Sequence, residues 1–169
     1  MEKIWLKQYP PGVPAEIDVN EYESLRDVFE ESVAKYASRP AFTCMGKSIT
    51  FAELDTLSAA FGAWLPGIGG GKGTRVALMM PNILQYPVCL FGTLRAGCTV
   101  VNVNPLYTAR ELQHQLNDSG AEVLVVVENF AKTVSEVVGT TKVRQVVVTS
   151  IGELLGVKSI VVDLVLRSV

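Results

Sequence analysis

The sequence predicts an α/β fold: a mostly parallel, doubly wound sheet with helices on both faces, preceded by an N-terminal arm and a short antiparallel hairpin. Three observations carry this. From Arg75 onward, short runs rich in Val and Leu alternate with stretches of helical apolar spacing. Those runs are apolar at nearly every position, as strands buried on both faces are. Their boundaries are also sharply marked, most clearly between Met79 and Ala121, where one helix–strand–helix passage is punctuated by Pro81-Asn82, Gly97 and Asn104-Pro105.

The elements follow in order. After an arm punctuated by Pro10, Pro11 and Pro14, Ser24 can cap a helix whose Leu25, Val28, Phe29, Val33 and Tyr36 form one core-facing stripe, ending before Pro40. Ala41–Cys44 and Ser48–Phe51 read as a hairpin turning at Met45-Gly46-Lys47. Thr50 with Glu53 then makes a capping box, Ile49 and Leu54 serve as its hydrophobic staple, and the helix stops at Pro66-Gly67. Beyond Arg75 come a strand over Val76–Met79, a helix over Ile83–Arg95 closed by Gly97, and a strand over Thr99–Val103. Asn104-Pro105 breaks that strand, and Thr108 with Glu111 forms a second capping box, stapled by Tyr107 and Leu112, for a helix over Ala109–Asp118. A strand over Val123–Val127, a helix around Phe130–Val138 and a strand over Gln145–Thr149 complete a sheet of five or so strands. Residues 1–150 read as one domain. Residues 151–169 read as an amphipathic C-terminal helix with Leu154, Leu155, Val157, Ile160, Val161, Leu164 and Val165 along one stripe, suited to packing on protein or resting on a membrane surface.

Composition narrows the functions. A chain of 169 residues can bury a sizeable core without metals or disulfides. Its 49% hydrophobic and 19% charged residues and mean hydropathy of +0.30 are apolar for a free-standing domain, as expected if some surface belongs against a neighbour. A net charge of −2 and singly scattered basic residues argue against nucleic acid as a partner. Cys44, Cys89 and Cys98 have the spacing of neither a metal site nor a disulfide framework, so a reducing compartment is expected. The N-terminus lacks the apolar core of a signal peptide, and no apolar run approaches the roughly 18 residues that span a bilayer. A cytoplasmic protein, with peripheral membrane contact left open, is the expectation.

The candidate motifs are few. Gly67–Thr74 looks like a phosphate loop, but Pro66 occupies the slot of its first glycine and Lys72 is followed by Gly73 instead of Ser or Thr. It also follows a helix and feeds a strand, the reverse of the arrangement that aims helix N–H groups at an anion. His114, the sole histidine, falls two residues past Leu112 and is expected to face solvent. No nucleophile elbow is present, and Glu30-Glu31 reads as a solvated face. No catalytic, ATP-binding or metal-ligating residue is therefore assigned. Asn104, Pro105, Tyr107, Thr108 and Arg110 stand at the carboxyl end of a parallel strand, where open α/β sheets place ligands, and Phe130 and Lys132 stand at a similar strand end.

The passage Met79–Ala121, and NVNPLYTARELQHQLNDSGA within it, resembles the N-terminal region of adenylate-forming acyl-CoA synthetases, in particular the bacterial long-chain fatty-acid CoA ligases. MEKIWLKQYPPGVPAEI, YESLRDVFEESVAKYASRPAF, SITFAELDTLSAAFGAWL and RVALMMPN are similar to that family in order and spacing, so the resemblance runs from Met1 to about Val148. It implies a parent enzyme that joins a long-chain fatty acid to CoA through an acyl-adenylate, using ATP and Mg2+. It also implies that Asn104, Tyr107, Arg110, Phe130 and Lys132 lie in the neighbourhood of CoA or substrate. The Ser/Thr/Gly-rich, lysine-ended phosphate loop of the family is not among these residues, so the chain is expected to be an N-terminal fragment, inactive alone. Its expected partners are the rest of the ligase chain and, at most, a second copy in a homodimer. The rival readings are a non-catalytic α/β module for oligomer or membrane contacts and a small nucleotide-binding domain.

Overall fold

A computed structural model describes residues 2–156 of the chain. Four strands, β3 (Arg75–Met79), β4 (Thr99–Val103), β5 (Val123–Val127) and β6 (Gln145–Thr149), form a fully parallel sheet in the order β4-β3-β5-β6. Among the described residues the sheet therefore has four strands, one fewer than the five or so expected. Residues β1 (Pro40–Cys44) and β2 (Lys47–Thr50) pair separately and antiparallel. Their turn is the two-residue Met45-Gly46, with φ of 49° and 73°. Positive φ at both positions matches the right-handed twist of the hairpin, and Lys47 accordingly belongs to the strand.

Successive strand residues point to opposite faces, and the core divides accordingly. Val76, Leu78, Val123, Val125 and Val127 pack with Leu65, Ile83, Cys89 and Cys98, beneath α2 (Phe51–Trp64) and α3 (Gln85–Arg95). Ala77, Met79, Leu124 and Val126 pack with Leu112, Leu116, Val134 and Val137 from α4 (Ala109–Ser119) and α5 (Ala131–Val137). Val123–Val127 is buried throughout, which is why the run carries no polar alternation. α2 and α3 meet through glycines: a Cβ on Gly92 would stand 2.7 Å from the Ser58 carbonyl oxygen, and one on Gly62 2.8 Å from the Gly92 carbonyl oxygen. The close approach lets Arg95 on α3 pair with Asp55 on α2 and donate to the Asp55 carbonyl and Ser58 Oγ.

Both capping boxes form, at Thr50/Glu53 and Thr108/Glu111. Ser24 accepts from Asp27 N to cap α1 (Leu25–Tyr36). The core stripe expected on α1 is only partly covered, however. Phe29 is buried and stacks on Phe91 at 4.0 Å between ring centroids, but Leu25 is 68% exposed. Val28 is 36% exposed as well, so helical spacing there did not imply burial. α3 begins at Gln85, two residues later than expected, because Pro81–Leu84 form turns. Pro87 fits as the third helical residue, where its missing N–H goes unused. The helix expected around Phe130–Val138 is α5 flanked by 3-10 turns at Glu128–Phe130 and Val138–Thr140.

The expected helix over residues 151–169 is described only to residue 156. That part forms successive turns, with Leu155 N donating to the Gly152 carbonyl and the Leu155 side chain buried against α1, α2 and α3. The remainder lies outside the described residues. Among the described residues no helix is long and apolar enough to cross a membrane.

Candidate functional site

From β3 the chain crosses to β4 on one side, then returns past β3 to β5 on the other, so the direction of winding reverses between β3 and β5. Open parallel sheets leave a crevice outside the carboxyl ends of the strands at such a reversal, since the flanking connections depart over opposite faces. Here that rim is built from residues 80–86 after β3, 104–110 after β4 and 128–132 after β5.

All five expected site residues fall on this rim. Asn104 is exposed and its Oδ1 accepts from Leu106 N at 3.0 Å, so its side chain shapes the turn that delivers Thr108 to its capping position. Tyr107 is half-buried against the α4/α5 side of the core, and Phe130 is half-buried where the two cores meet beyond β5. Arg110 and Lys132 are exposed and occupy the second positions of α4 and α5. The structure places the two groups at the ends of strands with β3 between them, which sets them about 10 Å apart at ordinary strand spacing. Neither basic residue enters an ion pair among the described residues. A cation at the positive end of a helix is locally unfavourable, and both helices carry one there.

One feature of the rim was missed from sequence. A cavity of about 250 Å³ opens beside the end of β3, lined by Phe42, Thr43, Cys44, Asn82, Ile83, Leu84, Tyr86 and Pro87. The hairpin closes its outer wall, and Tyr86 OH donates to Asn102 Oδ1 at 2.9 Å across the neighbouring strand end. Pro81-Asn82 marked a break in the sequence. Only the fold brings Phe42–Cys44, some forty positions earlier, against it.

In Gly67–Thr74 the N–H groups of Gly69, Gly70 and Gly73 donate to the carbonyls of Pro66, Leu65 and Gly97, and Gly71 N donates to Thr74 Oγ1. A phosphate would find these donors already engaged, and the loop lies at the amino end of β3, opposite the rim. His114 is exposed on α4. Burial, then the Glu153 carboxylate, pushes the Cys89 thiol up to about 12; burial, then Glu122, raises that of Cys98. Both are protonated thiols at neutral pH, poor nucleophiles. Among the described residues no three His, Cys, Asp or Glu side chains come together as a cation site.

A parallel α/β domain whose strand carboxyl ends flank a reversal of winding is the class that the fold defines. Residues 29–161 match the AMP-binding enzyme family, and the chain belongs to that family. It is 57% identical over 169 residues, 99% of its length, to a long-chain-fatty-acid–CoA ligase of Escherichia coli O6:H1, of which it covers 30%. It is 51% identical over 156 residues, 92% of its length, to the corresponding ligase of Haemophilus influenzae, covering 28%. The chain thus spans less than a third of the length of these relatives. Among solved structures it resembles a long-chain-fatty-acid–CoA ligase from Archaeoglobus fulgidus, with TM-score 0.69 and 28% identity over 78% of this chain and 29% of that one. An anthranilate CoA ligase in complex with anthranoyl-AMP shares the fold, with TM-score 0.72 and 24% identity over 76% of this chain and 25% of that one.

Proposed function

We propose that this chain is the N-terminal part of an AMP-forming long-chain fatty-acid CoA ligase. The observation that carries the reading is the 57% identity to such a ligase over 99% of the chain. In the parent reaction a fatty carboxylate oxygen attacks the α-phosphorus of ATP, pyrophosphate leaves, and the CoA thiol displaces AMP from the acyl-adenylate. Both steps join bound reactants, so holding them in line supplies much of the rate. The rim of this chain would contribute binding. Arg110 and Lys132 would meet phosphate groups of CoA or nucleotide with charge-assisted hydrogen bonds, Tyr107 and Phe130 would offer aromatic surfaces beside them, and Asn104 would hold the turn between strand and helix.

The test is kinetic, on the full-length enzyme encoded with this chain. Arg110→Gln and Lys132→Gln should each raise KM for CoA about tenfold, the value of one lost charged hydrogen bond, while the burst of pyrophosphate release stays unchanged. An unchanged KM in both variants would remove these residues from the site. The chain by itself should form no acyl-CoA. Cytoplasmic placement with peripheral membrane contact belongs to the same reading. Long-chain fatty acids partition into lipid, and Ile4, Trp5 and Ile17 on the arm are 64%, 51% and 81% exposed. Co-flotation with anionic liposomes, lost in Trp5→Ala, is the expected result.

A further inference from the structure

α2 is uncharged on its outer face as well as its inner one. Its only charges, Glu53 and Asp55, stand in the first two turns and are engaged, Glu53 by the Thr50 cap and Asp55 by Arg95. Leu54, Ser58 and Gly62 are buried on the inner face. The outer face carries Ala52, Thr56, Ala59, Ala60 and Ala63, all exposed, and ends at Trp64, which is 42% exposed. A helix facing water carries charged residues on that side, whereas one that is apolar all round is covered all round.

The described chain ends where this face begins. Leu155 is buried among Phe29, Ile49 and Leu54. Leu154, just before it, forms one wall of an open groove of about 380 Å³ whose other walls include Ile49, Ala52, Thr56 and Leu57. Gly156 follows at φ of 63°, a turn that a residue without Cβ makes freely. The thirteen residues after it place Val157, Ile160, Val161, Leu164 and Val165 at helical intervals, with Lys158 and Arg167 at the borders of that stripe. As a helix they reach about 20 Å, close to the length of the 14-residue α2.

We propose that residues 157–169 turn back at Gly156 and lie along α2, seating the Val157–Val165 stripe on the Ala52–Ala63 face. The small side chains of α2 let the two axes approach closely, and Leu154 and Leu155 anchor the joint. The groove thus takes the next stretch of the same chain, and the stripe is kept from lipid.

Limited trypsin digestion of the 169-residue chain tests this, because Lys158 and Arg167 lie inside the segment and an isolated helix of this length is marginal in water. Cleavage after Lys158 should be about tenfold slower in the native chain than in Ile160→Asp/Leu164→Asp, since proteolysis follows the open population. Thr56→Glu/Ala60→Glu should lose the same protection while cleavage of the folded body stays unchanged, both positions being exposed. Protection in the native chain should be equal at about 1 µM and about 100 µM, as for a contact within one chain, and should persist with phosphatidylglycerol vesicles present. Equal cleavage in all three chains overturns the proposal. So does protection that survives Thr56→Glu/Ala60→Glu, which puts the seat elsewhere, or that appears only at the higher concentration, which makes the cover a second copy. Release by vesicles overturns it as well, because the segment then belongs to lipid. The same contrast should hold in the full-length enzyme; its absence there overturns the proposal, because a later part of the chain then covers α2.

Discussion

Thr108 and Thr50 work alike at two helix starts, and each sets the protonation of the glutamate three residues on. The backbone N–H and then the hydroxyl of each threonine hold the Glu111 and Glu53 carboxyls below their usual range. A folded-state pKa below the unfolded one means that the stabilisation is fully present above the unfolded value of about 4.3. It is lost as pH falls through the folded value. The melting temperature of the native chain should therefore exceed that of Glu111→Gln most at neutral pH, and the gap should shrink below about pH 4. Melting curves across that range check the sign. Thr108→Ala should cost about 1 kcal/mol through the lost cap, while His114→Ala, at an exposed position, should be nearly neutral. The thiols offer a separate check. Half-buried Cys44 should react with a colorimetric thiol reagent well before buried Cys89 and Cys98, giving one fast equivalent in the native chain and three on unfolding. These residues were legible in the sequence because a capping box needs only four consecutive positions.

At the scale of elements, the junction of α2 and α3 depends on what is missing from two side chains. Gly92→Ala would drive a methyl group to 2.7 Å from the Ser58 carbonyl oxygen and 2.8 Å from the Phe61 ring. Separating the helices would also part Arg95 from Asp55. A loss on the order of 1–3 kcal/mol is expected, as for overpacked cores, whereas Gly139→Ala, with open space around it, should be tolerated. Denaturant titration of both variants decides this. Such close approach was invisible in sequence, since a helical glycine looks the same whether its neighbour is water or backbone. The exposure of Leu25 had the same origin. Periodicity shows that a stripe exists, and only tertiary placement shows where cover ends. β5, by contrast, was evident from its unbroken Val and Leu content, which a strand buried on both faces carries, and the other parallel strands from their alternation with helices.

Across the whole molecule, the rim was half legible. Strand order is what sets Asn104, Tyr107 and Arg110 on one side of the β3 end and Phe130 and Lys132 on the other, and alternating strands and helices were enough to place them at carboxyl ends. The Phe42–Cys44 wall depends on a hairpin folding back over α3, a contact written in no local pattern. Phe42→Ala in the full-length enzyme should therefore report whether that cavity matters. A change in KM for one substrate with thermal stability held would place it in binding, and a fall in melting temperature alone would make it scaffold. The sheet order has one further consequence, for synthesis. β3 gains its first neighbour when residue 103 has emerged from the ribosome, but its second is β5, complete only at residue 127. At about 5–20 residues per second, β3, buried over Val76–Met79, waits on the order of 1–5 s with one flank open. Over that interval a chaperone, or a neighbouring nascent chain, competes with β5 for the same row of hydrogen bonds.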